Sequence, residues 1–385
     1  MATVIAMDLT STAFGTWSGG RFMHYGQPLD EAHWVSLVHH AHRSGIQTFL
    51  TADVYGNGQA DSLLGQALKG LKRDSYCLVG AIGHDIYSGK RDGSKGYPRF
   101  THPDLRQPRD YADYLRMAAE KSLERLGISQ FDYLLLHNPD FTGYTNDAVW
   151  KGMQRLVDQG LTRKLGIAPG PANGFSLDII LAFERFGALI DAAMIILNPF
   201  EPWPGRFVLP AAEKYGVDVI TRVVDFGGIF YDDVHPGHQF GQSDHRSFRP
   251  AGWVEEGNQK LDALRPLLQK YGLTGIQFAA AWCLQQTAVK CVAPTLIQEV
   301  GDEAKTIEAK AEELGATPMV KFTTEELAMV QDIGDNTGCM HLKGASAVYQ
   351  APAVADQWSL SPDLNGVGER WGIDPAVDLS YSHSE

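Results

Sequence analysis

Polar side chains able to do chemistry fall where short apolar runs of this chain end. Tyr55 comes shortly after the run Thr48–Thr51, and His137 closes the run Tyr133–His137. A phenol can deliver or take a proton; an imidazole can hydrogen-bond a carbonyl or hydroxyl, or serve as a base near neutral pH. Arg222 belongs to the run Val217–Val223, and its guanidinium suits a carboxylate, sulfate or phosphate. The competing assignment for Arg222 is a salt bridge to Asp225 or a solvated charge at a strand end. His24, Asp53, His84, Asp85, Asn138, Asp140, Asn198 and Glu201 occupy equivalent positions after other runs. Of these, His24, Asp53, His84 and Asn138 are expected to bind substrate together with Arg222. Metal chemistry is the other possibility. His235, His238 and His245, with Asp232, Asp233 and Asp244, are ligand types but have no recognised spacing. A His-rich surface loop accounts for them, so no metal site is assigned. His39, His40 and His42 fall in a helical pattern and read as its polar face.

The elements that must hold these residues alternate. Candidate strands are Thr48–Thr51, Tyr76–Ile82, Tyr133–His137, Lys164–Ala168, Ala192–Leu197, Val217–Val223 and Val289–Pro294. Helical patterns lie among them at Asp30–Ser44, Gln59–Leu68, Tyr111–Leu126, Asp147–Gln159, Ser176–Arg185, Phe207–Tyr215, Glu256–Tyr271 and Thr274–Gln286. Strand then helix, repeated about eight times, implies a parallel sheet. The repeat number and the lack of a sharp linker favour a closed (β/α)8 TIM barrel, of the α/β class, over an open doubly wound sheet. Residues 1–344 are assigned to the barrel and 345–385 to a C-terminal extension. Long βα loops are expected at His84–Asp110 and Ile229–Gly252, with the tail available to fold over the same mouth.

The 385 residues carry 33 basic and 46 acidic side chains, a formal net charge of −13. That balance argues against a nucleic acid or an anionic membrane as partner, since both need a basic face. It leaves a small-molecule substrate. The four cysteines are too scattered for a disulfide framework, which points to a reducing, cytoplasmic setting. No stretch of about 20 apolar residues is present, and the first residues lack the pattern of a signal peptide.

Several segments in order carry a resemblance. Thr51-Ala52-Asp53-Val54-Tyr55-Gly56 is followed by Ser62-Leu63-Leu64-Gly65. Ser122-Leu123-Glu124-Arg125-Leu126-Gly127 leads into Asp132-Tyr133-Leu134-Leu135-Leu136-His137-Asn138-Pro139. Lys164-Leu165-Gly166-Ile167, Val217-Asp218-Val219-Ile220 and Thr323-Thr324-Glu325-Glu326-Leu327 continue the series. Together they resemble the aldo-keto reductase family over roughly residues 10–340. The resemblance implies a (β/α)8 barrel that reduces carbonyls with NADPH through a tetrad of Asp, Tyr, Lys and His. In that tetrad Tyr donates the proton, Lys lowers the Tyr pKa, Asp pairs with Lys, and His polarises the substrate oxygen.

Tyr55 and His137 match the tetrad; the other two positions do not. Leu50 stands at the Asp position and Ala81 at the Lys position. Loss of both partners is physically coherent, because removing one alone strands a buried charge at a cost of about 3–5 kcal/mol. The cofactor contacts depart as well. Ala168-Pro169 replace a Ser-Asn pair, Met194 replaces a Gln, Arg222 replaces a stacking aromatic, and Glu299 falls where a cation would meet the adenosine phosphate. The expectation is therefore an enzyme of this fold that carries out elimination, dehydration or isomerisation on a polar, possibly anionic small molecule, with Tyr55 and His137 catalytic and no cofactor. The alternatives are an atypical NADP-dependent carbonyl reductase and a non-catalytic binding barrel.

Overall fold

In the computed structural model, described over residues 7–93, 96–170, 175–249, 251–301, 303–337 and 360–379, eight short strands line one sheet. They are β1 (Ala13–Gly15), β2 (Thr48–Leu50), β3 (Cys77–Ile82), β4 (Phe131–His137), β5 (Thr162–Ala168), β6 (Ala192–Ile196), β7 (Asp218–Arg222) and β8 (Val289–Ala293). Each pairs in parallel with the next in chain order. Thr12 bridges Val292, bringing the first strand against the last. Around them run α1 (Glu31–Arg43), α2 (Gln59–Leu68), α3 (Tyr111–Leu126), α4 (Phe141–Thr145), α5 (Asp147–Asp158), α6 (Ser176–Phe186) and α7 (Leu209–Tyr215). The series continues with α8 (Trp253–Tyr271), α9 (Gly275–Leu284), α10 (Ile307–Gly315), α11 (Thr324–Gly334), α12 (Pro362–Trp371) and α13 (Pro375–Asp378). The expected (β/α)8 barrel is present. β1 is the strand that apolar patterning did not delineate: it has three residues and ends in glycine.

Alternation along each strand separates two buried layers. Leu50, Val79, Leu135, Met194 and Ile220 face the barrel axis among alanines such as Ala13, Ala52, Ala81 and Ala293. Their neighbours Leu78, Leu134, Leu136, Ile167, Val219 and Val292 face outward and pack with helix residues such as Trp34, Trp150 and Phe183. Two glycines set the upper rim. A Cβ on Gly15 would lie 2.2 Å from the Trp17 ring. Gly83 has φ of 158°, and a Cβ there would stand 2.5 Å from the carbonyl oxygen of His137.

Buried carboxylates lock strands to helices. Asp61 on α2 accepts from Thr51 at 2.8 Å, from Ser122 at 2.7 Å and from Arg125 at 2.9 Å. Asp132 on β4 accepts from Arg73 and from the Leu78 amide, both at 2.7 Å. The Thr51 and Ser122–Arg125 segments that carry the sequence resemblance are thus cross-linked through Asp61.

The long loops cover the C-terminal ends of the strands. In the first, Arg106 pairs with Asp85 at 2.6 Å and lies over the Tyr114 ring. In the second, Arg246 is 2 % exposed and pairs with Asp244 and Glu299, and the Gly26 amide donates to Asp244. This joins the loops after β1, β7 and β8. The C-terminal tail is described over residues 360–379. Over its described residues it packs on α6, with Arg370 on Glu184 and Asp363 on Arg185, and it reaches the loop after β6 through a bond from the Trp203 indole to the Asp378 carbonyl. Trp358 lies outside the described residues. No helix among the described residues is long and apolar enough to cross a membrane.

Candidate active site

Strand alternation aims three of the expected residues at one space. Leu135 faces the axis, so His137, two residues on, does too; Ile220 does the same for Arg222. Tyr55 begins a turn after β2 and packs against the axial cluster. Its ring stands edge-on to His137 with centroids 5.8 Å apart, and edge-on to Trp17 at 6.3 Å.

Tyr55 and His137 are both uncharged. Burial pushes the Tyr55 phenol up to about 12, with the Arg222 charge pulling the other way. His137 is 7 % exposed, and its Nδ1 is buried without a hydrogen-bond partner. Burial holds its pKa well below the usual value, and His84, Arg99 and Arg222 push in the same direction. Tyr55 is thus a protonated phenol and His137 a neutral imidazole.

His84 lies behind His137, edge-on at 5.2 Å. Its Nδ1 is 3.2 Å from the Tyr97 carbonyl, which makes that nitrogen the donor, and its Nε2 accepts from the Asn138 amide at 3.0 Å. Burial lowers its pKa to about 3. Both His84 ring nitrogens are engaged, by Tyr97 and by the Asn138 side chain, behind His137. Asn138 takes φ of 45°, and its amide donates to the Ala168 carbonyl at 2.7 Å.

Arg222 donates from Nη2 to the Gly170 carbonyl at 2.7 Å. It makes no ion pair with a described carboxylate. Asp225, the alternative partner, instead accepts from the Thr295 amide at 2.8 Å. Val223, next in the chain, has φ of 61°, a strained value for a β-branched residue. The Asn198 side chain donates to its carbonyl at 3.0 Å and helps to hold that turn. Glu201 faces Arg249 at 3.7 Å. Asn198 and Glu201 therefore frame the site from beneath.

Two further candidates lie away from the Tyr55–His137 pair. Asp53 is fully buried, but on the side of β2 away from the axis, where Thr51 also points. Burial, then the charge of Asp61, raises its pKa well above normal, and neither carboxylate oxygen has a hydrogen-bond partner among the described residues. His24 is exposed on the rim, with its ring against His245 at 5.7 Å. The residue that enters the site from that loop is its neighbour Tyr25, whose phenol is raised by burial and by Asp225 and opposed by Arg249 and Arg222. Tyr25 sits in no motif, and nothing in its spacing marks it. Trp17 was also missed; the glycine two residues before it, left bare to admit the ring, was the available clue. The loop histidines separate: His238 reaches Glu299 at 3.3 Å, His235 faces Asn258, and His245 packs on Tyr25. Among the described residues they form no metal-holding group with the nearby aspartates.

Leu50 and Ala81 are 1 % and 8 % exposed and share the axial layer. The chain belongs to the aldo/keto reductase family, whose model matches residues 12–333. It is similar to the glycerol dehydrogenase of Gluconobacter oxydans, with 25 % identity and a TM-score of 0.66, covering 86 % of this chain and 95 % of that one. An aldo/keto reductase from Klebsiella pneumoniae, solved in complex with NADP and acetate, superposes with a TM-score of 0.59 at 18 % identity, over 87 % of this chain and 95 % of its own. A probable voltage-gated potassium channel subunit beta of Oryza sativa subsp. japonica is 22 % identical over 295 residues, 74 % of this chain and 83 % of that protein.

The residues present do not fit NADP held in the manner the family motif implies. Ala168 and Pro169 offer no side-chain hydrogen bond, and Met194 is part of the apolar axial layer. Arg222 brings a cation to the nicotinamide position. Glu299, 3 % exposed, is engaged by Arg246 and His238 where a phosphate would need a free cation. Lys305 and Lys310, the next lysines further along the chain, are paired with Glu313 and Asp233.

Proposed function

We propose that this aldo/keto reductase family member is an enzyme that moves protons rather than hydride on a small polar substrate bound at the C-terminal mouth of its barrel. The observation that carries the reading is the axial layer. Leu50, Ala81, Ala168 and Met194 together make an apolar floor where the motif calls for an ion pair and amide contacts, while Tyr55 and His137 remain at the rim above it. Tyr55, protonated at neutral pH, donates to a leaving or enolising oxygen. His137, neutral and free at Nε2 of any described partner, accepts a proton or a hydrogen bond from the substrate. Arg222 fixes the substrate's orientation. The reaction class is elimination, dehydration or isomerisation, a lyase or isomerase activity.

A second reading, an NADP-dependent carbonyl reductase with an altered tetrad, is favoured by the NADP found in the Klebsiella pneumoniae relative. One titration separates the two. The acid–base reading expects no saturable quenching or heat on adding NADPH or NADH up to millimolar concentration. It also expects turnover of a substrate without added nicotinamide that is lost in Tyr55→Phe and His137→Ala. Tight NADPH binding with reduction of an aldehyde or ketone supports the reductase and ends the first reading.

A further inference from the structure

Arg222 has no direct ion pair among the described residues, and the carboxylate acting on it is that of Glu201. Other arginines of the mouth are matched: Arg246 by Asp244 and Glu299, Arg249 by Glu201, Arg106 by Asp85. Arg222 faces the axis with one N–H on the Gly170 carbonyl and no ion pair among the described residues. A half-buried guanidinium with only the more distant Glu201 carboxylate acting on it leaves room for an anionic ligand to supply a direct partner. Near it stand the Tyr55 phenol and the His137 imidazole, whose Nδ1 is buried without a partner among the described residues.

We infer that the mouth binds a monoanionic hydroxy- or oxo-carboxylate, with the carboxylate on the open edge of Arg222 and the hydroxyl or carbonyl oxygen between Tyr55 and His137. This rests on the reading of Tyr55 and His137 as the proton-handling pair. Two arguments select a carboxylate over a phosphate or sulfate dianion. First, one unmatched guanidinium cancels one negative charge. The carboxylates of Glu201 and Asp225, which act on Arg222 and Tyr25, oppose a second. Secondly, with one N–H engaged by Gly170, the planar fork keeps an edge for two parallel hydrogen bonds, the geometry a carboxylate accepts. The ligand also needs its neutral oxygen close to the carboxylate, because Arg222 and Tyr55 are near enough for each to act on the other's charge.

The test is calorimetric titration of the full chain with glycerate, pyruvate, glycerol and inorganic phosphate. Glycerate and pyruvate are expected to bind, phosphate and glycerol not measurably. Arg222→Met should weaken glycerate by roughly 10- to 150-fold, the range for hydrogen bonds to a charged group. Arg222→Lys keeps the charge but loses the fork, and should weaken it by about tenfold. The lysine variant, with its thermal melt measured alongside, keeps the test valid if the methionine variant does not fold. Phosphate binding as tight as glycerate, or glycerate affinity unchanged in both variants, overturns the inference. The two proposals fail separately. Glycerate held through Arg222 in a protein that reduces pyruvate with NADPH ends the acid–base reading alone. Nicotinamide-free turnover of an uncharged substrate, indifferent to Arg222→Met, ends the carboxylate inference alone.

Discussion

Restoring the missing ion pair gives the sharpest check on the axial layer. Leu50→Asp puts a carboxylate at a site 1 % exposed, and Ala81→Lys puts an ammonium at one 8 % exposed. The register places Leu50 beside Val79, so Ala81 is the next residue of β3 on the same face. Each single substitution strands a buried charge and should cost roughly 3–5 kcal/mol. In the double variant the two groups can approach to about 4 Å. At an effective dielectric of about 20, their attraction is about 4 kcal/mol. The double variant should therefore lose about 2–4 kcal/mol less than the sum of the two single losses, read as the coupling energy in urea denaturation. The restored ammonium should also lower the Tyr55 phenol, visible as tyrosinate absorbance appearing at lower pH than in the parent. Effects that add to within about 0.5 kcal/mol would mean that residues 50 and 81 do not face one another, and the account of the emptied pair would be wrong.

Other expectations follow from the same structure. Glu299→Ala leaves the buried Arg246 with less counter-charge and should cost about 3–5 kcal/mol in urea melts; a loss below 1 kcal/mol would contradict the burial of that pair. His84, held neutral with its pKa near 3 in the fold against about 6.5 when unfolded, takes up a proton on unfolding. Its contribution is complete above pH of about 6.5 and is lost as the pH falls toward 3, so His84→Gln should flatten the stability–pH curve in that window. Asp53 has the opposite sign: its raised folded pKa means stability declines as pH rises above the unfolded value of about 3.9. Asp53→Asn should gain stability over the parent progressively from that pH upward, and a parallel pair of curves would refute the buried, unpartnered carboxylate. Tyr55→Phe should leave the urea midpoint within about 0.5 kcal/mol, since the hydroxyl has no protein partner among its described contacts, while abolishing turnover.

Much of the architecture was legible from local pattern alone. Apolar runs of strand length alternating with amphipathic segments require a parallel sheet covered by helices, and period-two alternation then decides that Leu135 and His137, or Ile220 and Arg222, share a face. The fates of Leu50 and Ala81 were readable for the same reason, because each sits within a strand whose pleat fixes its direction. Residues beyond the strand ends have no such rule. Tyr25 rather than His24 enters the mouth, and Asp53 turns behind the sheet. His84 gives both nitrogens to Tyr97 and Asn138, and the tail packs on α6. Those outcomes depend on loop conformations set by contacts between segments far apart in the chain, such as Asp244 with Gly26 or Arg246 with Glu299. Sequence determined which side chains were available and which strand positions look inward. Only tertiary packing decided which polar groups were satisfied by the protein itself and which, like Arg222, were left facing the mouth without an ion pair among the described residues, because hydrogen-bond and charge satisfaction are properties of neighbours in space.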